Sequence, residues 1–213
     1  MNRPHLALVQ NGRHPPGICY YLTLLQLPHQ IYQTDQLDSI QPDSHWGVIL
    51  LGGSDSVTDM QEDLLQQFAS LITRFVTASQ PVIGICLGCQ ILGNYIGGKV
   101  ESLPNTLTGY DTTVLGIENV LRCHRDYLRL DDVDDNLTVW NTQDGIPYSF
   151  QYGECIYGLQ CHPDVLPCDL HLFSTDMVLV HQARLQEGEI HQRNLNLLHS
   201  LFTISGIPHG PYK

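Results

Sequence analysis

Residues 81–90 read PVIGICLGCQ, and the chain continues ILGNYIGGKV to Val100. The apolar run 81–85 predicts a buried strand, and CLGCQILGNYIGG (86–98) predicts a helix closed by Gly97-Gly98. Gly84-x-Cys86-x-Gly88 straddles the junction. A nucleophile on so sharp a strand-to-helix turn presses its neighbours against adjacent strands. The positions two before and two after it must then be nearly free of side chain. The helix N-terminus favours a thiolate at Cys86 and leaves the Leu87 N–H free to face an oxyanion. Two other readings fit this string alone. Gly84 and Gly88 could be tight-turn glycines around a small core cysteine. Cys86-x-x-Cys89 could be a redox pair or half a zinc site, although that leaves the glycines unexplained.

Upstream, HLALVQ (5–10) reads as a buried strand and NGRHPPG (11–17) as a loop. A helix over about 17–26 and a short strand near 30–32 follow. WGVILLGG (46–53) is a near-continuous apolar run, the pattern of a strand buried on both faces of a parallel sheet. Leu64, Leu65, Phe68, Leu71, Ile72, Phe75 and Val76 fall at helical spacing. A capping box, Thr58 with Gln61 or Asp59 with Glu62, would start that helix, and Gln80-Pro81 would stop it. Strand and helix alternate to residue 98, which predicts an α/β fold with an open, doubly wound sheet.

Downstream the pattern changes. TGYDTTVLG (108–116), NVLRCH (119–124), NLTVWNT (136–142), PYSFQYG (147–153) and CIYGLQC (155–161) are short, rich in Val, Tyr and Thr, and broken by turns. They predict an antiparallel or mixed extension of the sheet. DDVDD (131–135) reads as a solvated loop, and 169–186 and 191–204 as two closing helices. The expected organisation is one domain over residues 1–205 and a flexible tail over 206–213.

The 213 residues carry 10 Lys+Arg against 22 Asp+Glu, a formal charge of −12, and only Lys99 and Lys213 are lysines. That excludes a cation-rich surface tracking nucleic acid or a membrane. The apolar stretch centred on Leu6–Val9 is too short for a signal-peptide core. Seven cysteines, an odd number in a chain of this size, do not suggest a disulfide framework. A cytoplasmic location is expected.

A reactive thiol needs a base. His162 lies in Tyr157-Gly-Leu-Gln-Cys-His162-Pro-Asp164. In extended geometry Asp164 falls on the same side as His162, where a carboxylate fixes the tautomer and stabilises the imidazolium. Gly52-Gly53-Ser54 ends a buried strand, where bare backbone N–H groups can approach a substrate carbonyl.

With these pieces assembled, the chain resembles the triad-type class-I glutamine amidotransferases. Leu50–Val57 is similar to the family's GGPxSV loop, 84–93 with 97–100 to its GICLGHQLLA…GGKV elbow, and 158–164 to its GxQFHPE block. Cys123-His-Arg-Asp126 and PYSFQYG are weaker matches to its SHxD and P…AFRYG segments. The closest likeness is to stand-alone members related to the glutaminase domain of GMP synthase, a group that includes γ-glutamyl peptidases.

The resemblance implies a flavodoxin-like fold with Cys86 as nucleophile, His162 as general base and acid, and Asp164 as its orienter. It implies oxyanion donors at Gly53 and Leu87. Gly52, Gln90, Cys123 and His124 would contact substrate, Gln90 at the glutamyl part and the Cys123–His124 backbone at the α-carboxylate. It implies glutamine or a γ-glutamyl compound as substrate, no cofactor or metal, and a separate ATP-dependent synthase to take the ammonia. The sequence departs from the pattern at Ser54 for Pro, Cys89 for His, Cys161 for Phe and Asp164 for Glu. Cys89 and Cys161 read as buried fillers, with soft-metal binding or a disulfide to Cys86 as the other options. A γ-glutamyl hydrolase and a non-catalytic module that keeps the fold are the competing functions.

Overall fold

The computed structural model describes residues 4–11 and 17–209. Nine strands and five α-helices are found among them. In chain order they are β1 (His5–Gln10), α1 (Ile18–Leu24), β2 (His29–Gln33), β3 (His45–Leu50), α2 (Glu62–Thr77), β4 (Val82–Ile85) and α3 (Leu87–Tyr95). Then come β5 (Lys99–Val114), β6 (Ile117–Arg129), β7 (Leu137–Gln143), β8 (Ile146–Tyr152), β9 (Ile156–Leu159), α4 (Met177–Leu185) and α5 (Glu187–Ile204).

Seven strands form one sheet in the order β2-β1-β3-β4-β9-β8-β7. β2, β1, β3, β4 and β9 run parallel, and β8 and β7 continue the sheet antiparallel. The alternation of strand side chains divides the core. Leu6 and Leu8 of β1 pack with α1 and α5 on one face, and Ala7 and Val9 pack with α2 and α3 on the other. The expected doubly wound mixed sheet is therefore present. Its centre is β4, with β3 on one side and β9 on the other.

β7, β8 and β9 form the expected extension, but the two segments before them do not join it. β5 and β6 are not part of the large sheet but make a separate antiparallel ribbon. A two-residue turn, Leu115-Gly116 with both φ values positive, joins two strands of 16 and 13 residues. β5 begins at Lys99 rather than near 108. Pro104 masked its first half, because the ladder breaks register between Ser102 and Leu107. The ribbon contributes Val114 and Val120 to one core face and Leu128 to the other, and Leu130, just beyond β6, joins Leu128.

Helix boundaries also moved. α2 starts after Gln61 without a side-chain cap, so neither capping box forms. Ser56 instead accepts from the Thr58 N–H at the head of a 3-10 turn, while Glu62 and Asp63 complement the dipole of α2. The expected helix over 169–186 is broken. A 3-10 turn (Pro167–Leu172) is followed by α4, whose N-cap Asp176 accepts from the N–H groups of Val178 and Leu179. The tail is docked as far as Ile207, which is buried and donates its N–H to Phe202. Residues 210–213, and most of the expected loop at 11–17, lie outside the described residues.

α3 crosses the sheet at close backbone contact. A Cβ on Gly84 would run into the backbone of Gly88 and Cys89, and a Cβ on Gly88 into the backbone of Leu50 on β3. Gly88→Ala should cost at least about 3 kcal/mol, because neither backbone can yield without parting β3 from β4. Gly188→Ala near the start of α5 meets open space and should be neutral or stabilise by up to about 1 kcal/mol. Urea denaturation of the two variants against the native protein checks both.

Candidate active site

Cys86 sits between β4 and α3 at φ 52°, ψ −108°, a conformation that L side chains rarely adopt and that the surroundings must enforce. They do so from both sides: the Cys86 N–H is held by the Leu159 carbonyl of β9, and the Gln90 N–H by the Cys86 carbonyl. The turn presents the side chain at the carboxyl edge of the sheet, where ligands bind in open α/β folds. Leu87 opens α3, so its N–H lacks a partner within the helix.

The loop after β9 delivers the histidine. His162 Nδ1 lies 3.1 Å from Asp164 Oδ1, and the imidazole stands close enough to Cys86 to feel its charge. The two residues meet across a turn rather than along a strand, because β9 ends at Leu159. Burial disfavours a charged imidazole. The negative charges of Cys86 and Asp164, with hydrogen bonds to both, outweigh it and hold His162 well above the usual histidine range.

Gly52 and Gly53 follow β3. A Cβ on Gly52 would lie 3.2 Å from His162 Cε1 and 3.4 Å from Cys86 Cβ, so its backbone borders both groups. Gly53 is wedged between the Asn11 carbonyl and the Leu87 side chain. Of the expected positions, Gly52, Gly53, Cys86, Leu87, His162 and Asp164 line one cleft of about 840 Å³.

Gln90, Cys123 and His124 also line this cleft, but their polar atoms point in specific directions. Gln90 Nε2 is engaged by the Asp126 carbonyl at 2.9 Å. The Cys123 carbonyl faces Cys86 Sγ at 3.9 Å. It is an acceptor, which suits a substrate donor. The His124 ring turns away, with Nδ1 3.1 Å from the Asp126 carbonyl and Nε2 3.0 Å from the Tyr148 hydroxyl. Burial lowers its pKa to about 4, so the ring is neutral near neutral pH. Arg125 is the one guanidinium on the cleft wall among the described residues.

Cys89 and Cys161 are fully buried, and burial pushes both thiols up, with the charge of Asp164 adding to it at Cys161 and that of Cys86 at both. They fill space beneath the site, as small core residues do. Among the described residues no group of three or more His, Cys, Asp or Glu is arranged to hold a metal ion.

Residues 16–171 match the class-I glutamine amidotransferase family. The chain belongs to this family. It is 33% identical over 192 residues to a glutamine amidotransferase-like protein of Acanthamoeba polyphaga mimivirus, covering 89% of this chain and 91% of that one. It is 30% identical over 143 residues to the glutamine-hydrolysing GMP synthase of Colwellia psychrerythraea, covering 56% of this chain but only 25% of the synthase. A crystal structure of a glutamine amidotransferase from Methylobacillus flagellatus superposes with a TM-score of 0.74 at 15% identity, covering 98% of this chain and 97% of that one. One from Thermotoga maritima gives 0.70 at 17% identity, covering 94% and 99%. These likenesses show the fold.

Against the class-I amidotransferase pattern, two site residues were missed from sequence. Gln160 places its amide 3.8 Å from Cys86 Sγ, and Phe173 lies beside the His162 ring, centroids 5.8 Å apart. Gln160 was visible inside the family's GxQFHPE block. Phe173 lies beyond that block and carries no local signal. No helix among the described residues is long and apolar enough to cross a membrane.

His124 supplies a pH test. Its folded pKa is depressed to about 4, so its contribution to stability is present above about pH 6.5 and is lost as pH falls through the folded value. Between pH 7 and 4.5 the native protein should lose at least about 1 kcal/mol more stability than His124→Gln, read from urea melts at the two pH values.

Proposed function

We propose that this protein is a glutaminase of the amidotransferase type, in which Cys86 attacks the side-chain amide of glutamine. One observation carries this reading: a strained cysteine at a helix N-terminus lies beside a buried His162–Asp164 pair at the foot of an open cleft. A cysteine beside an imidazole that a carboxylate orients is the arrangement of an activated nucleophile, which favours an enzyme over a non-catalytic module.

The Cys86 thiolate adds to the amide carbon, and the N–H groups of Gly53 and Leu87 receive the oxyanion. His162 passes its proton to the leaving nitrogen, ammonia departs, and a γ-glutamyl thioester remains. Neutral His162 then takes a proton from water, hydroxide displaces the sulfur, and glutamate is released. Asp164 holds the imidazole by Nδ1 and stabilises its charged form. Gln90 Oε1 and the Cys123 carbonyl are acceptors that would suit the substrate ammonium, and Arg125 would suit its α-carboxylate. The ammonia goes to a separate ATP-dependent synthase. The match to part of a GMP synthase supports that kind of partner.

The cleft favours one second reading. Its volume of about 840 Å³ is in the range that holds drug-sized ligands, far more than glutamine fills. A γ-glutamyl peptide or conjugate would use the same thioester chemistry and place its leaving amine in the remaining space.

Native protein should hydrolyse L-glutamine, and a glutamine-mimicking electrophile should label Cys86. Cys86→Ala should abolish turnover, and His162→Ala should reduce kcat by about 10²–10⁴-fold. Turnover of γ-glutamyl peptides without turnover of glutamine would select the hydrolase reading, and no labelling of Cys86 would refute both. Asp164→Asn removes a charge that raises the His162 pKa, so the alkaline limb of the kcat profile should move to lower pH.

A further inference from the structure

We propose that Gln160 is a catalytic residue of this site: its side-chain N–H donates to the Cys86 sulfur and stabilises the thiolate, with Gln90 setting the direction of that donation. The proposal rests on Cys86 as the nucleophile but not on the identity of the substrate.

Gln160 is completely buried. A buried amide is unfavourable unless its donors and acceptor are satisfied, and an apolar side chain would fill the same space without that requirement. Its partners are Cys86 Sγ, 3.8 Å from Nε2, and Gln90 Nε2, 3.3 Å from Oε1. The orientation of both amides follows from a backbone group. The Asp126 carbonyl can only accept, so the amide end of Gln90 that faces it at 2.9 Å must be the nitrogen. That nitrogen then presents N–H to Gln160, whose oxygen must face it. The remaining end of Gln160, its NH₂, points at the sulfur.

The far side of the network agrees. The Asp126 carbonyl also faces His124 Nδ1 at 3.1 Å, which fixes the Nδ1–H tautomer and leaves Nε2 to accept from the Tyr148 hydroxyl at 3.0 Å. No group in the chain is asked to donate where it can only accept. The direction is thus consistent from Tyr148 through Asp126 to Cys86.

The groups facing Cys86 separate into those that favour the thiol and those that favour the thiolate. The Cys123 carbonyl of β6 accepts from S–H at 3.9 Å and opposes negative charge. Cys89 of α3 and Cys161 beyond β9 stay neutral, because burial pushes their thiols up. His162 favours the thiolate by its charge, with Asp164 behind it. Gln160 supplies the neutral donor, and a hydrogen bond to a charged acceptor is about twice as strong as one to a neutral acceptor. The amide therefore contributes more to the anion than to the thiol it starts from.

The test is the pH profile of Cys86 alkylation by iodoacetamide in native protein and in Gln160→Met, which keeps the length and removes the donor. The variant should alkylate about tenfold more slowly on the rising limb of the profile, which is displaced to higher pH by about one unit. If glutamine is the substrate, kcat should fall with KM little changed. An unchanged alkylation profile in folded Gln160→Met overturns the proposal. Should that variant not fold, the native protein decides. The side-chain amide resonance of Gln160 should move with the same midpoint as the thiolate ultraviolet absorbance, and a resonance that stays fixed overturns the assignment. Alkylation does not depend on glutamine turnover, so failure of the glutaminase reading and failure of this one are distinguishable.

Discussion

The close backbone contact between α3 and the strands beneath it is the constraint on which the rest depends. Gly84 and Gly88 let the first turn of α3 settle directly on β3 and β4. Without that approach the chain could not reverse direction at Cys86, and the residue would have no reason to leave the allowed regions of backbone space. With it, Cys86 is forced to φ 52° and its side chain is lifted to the edge where the loops after β3 and β9 converge. Geometry comes first here, and the electrostatics follow from it. Once the thiol is fixed, His162 and Gln160 can approach it from β9 and the ribbon from β6.

The ribbon binds this arrangement from outside the sheet. The Leu121 carbonyl accepts from the His162 N–H, and the Cys123 carbonyl reaches the thiol. Asp126 anchors both Gln90 and His124 through one carbonyl oxygen. The ribbon, α3 and the loop after β9 thus share one cluster of polar groups. Their hydrogen bonds are buried and therefore costly to leave unmet, which gives the site a fixed geometry.

Much of this was legible in the sequence, for physical reasons that differ from element to element. The β3 and β4 runs could be read because a strand buried on both faces has no polar positions to confuse the pattern. The elbow could be read because only glycine fits where a Cβ would meet backbone. The ribbon could not, because Pro104 and the register break around it erase the alternation in β5. The split before α4 was hidden because Asp176 interrupts a segment whose apolar spacing looks continuous, and the cap outweighs the periodicity. At the site, identities of residues were readable but directions of atoms were not. Gln90 reads as a substrate contact, yet half of its amide is taken by Asp126. His124 reads likewise, yet its ring closes a network behind the cleft.

The order of strands in the large sheet has a consequence for a chain still being made. β4 lies between β3, which precedes it by some thirty residues, and β9, which follows it by about seventy. On a ribosome β4 can dock on β3 long before β9 has emerged, so for that interval it is an edge strand. Cys86 is then already synthesised, but the carbonyl of Leu159, the amide of Gln160 and the ring of His162 do not yet exist. When β9 inserts between β4 and β8, the Leu159 carbonyl, the Gln160 amide and the His162 ring reach Cys86 together. An incomplete chain therefore holds Cys86 without these three neighbours, which arrive only with the last strand of the sheet.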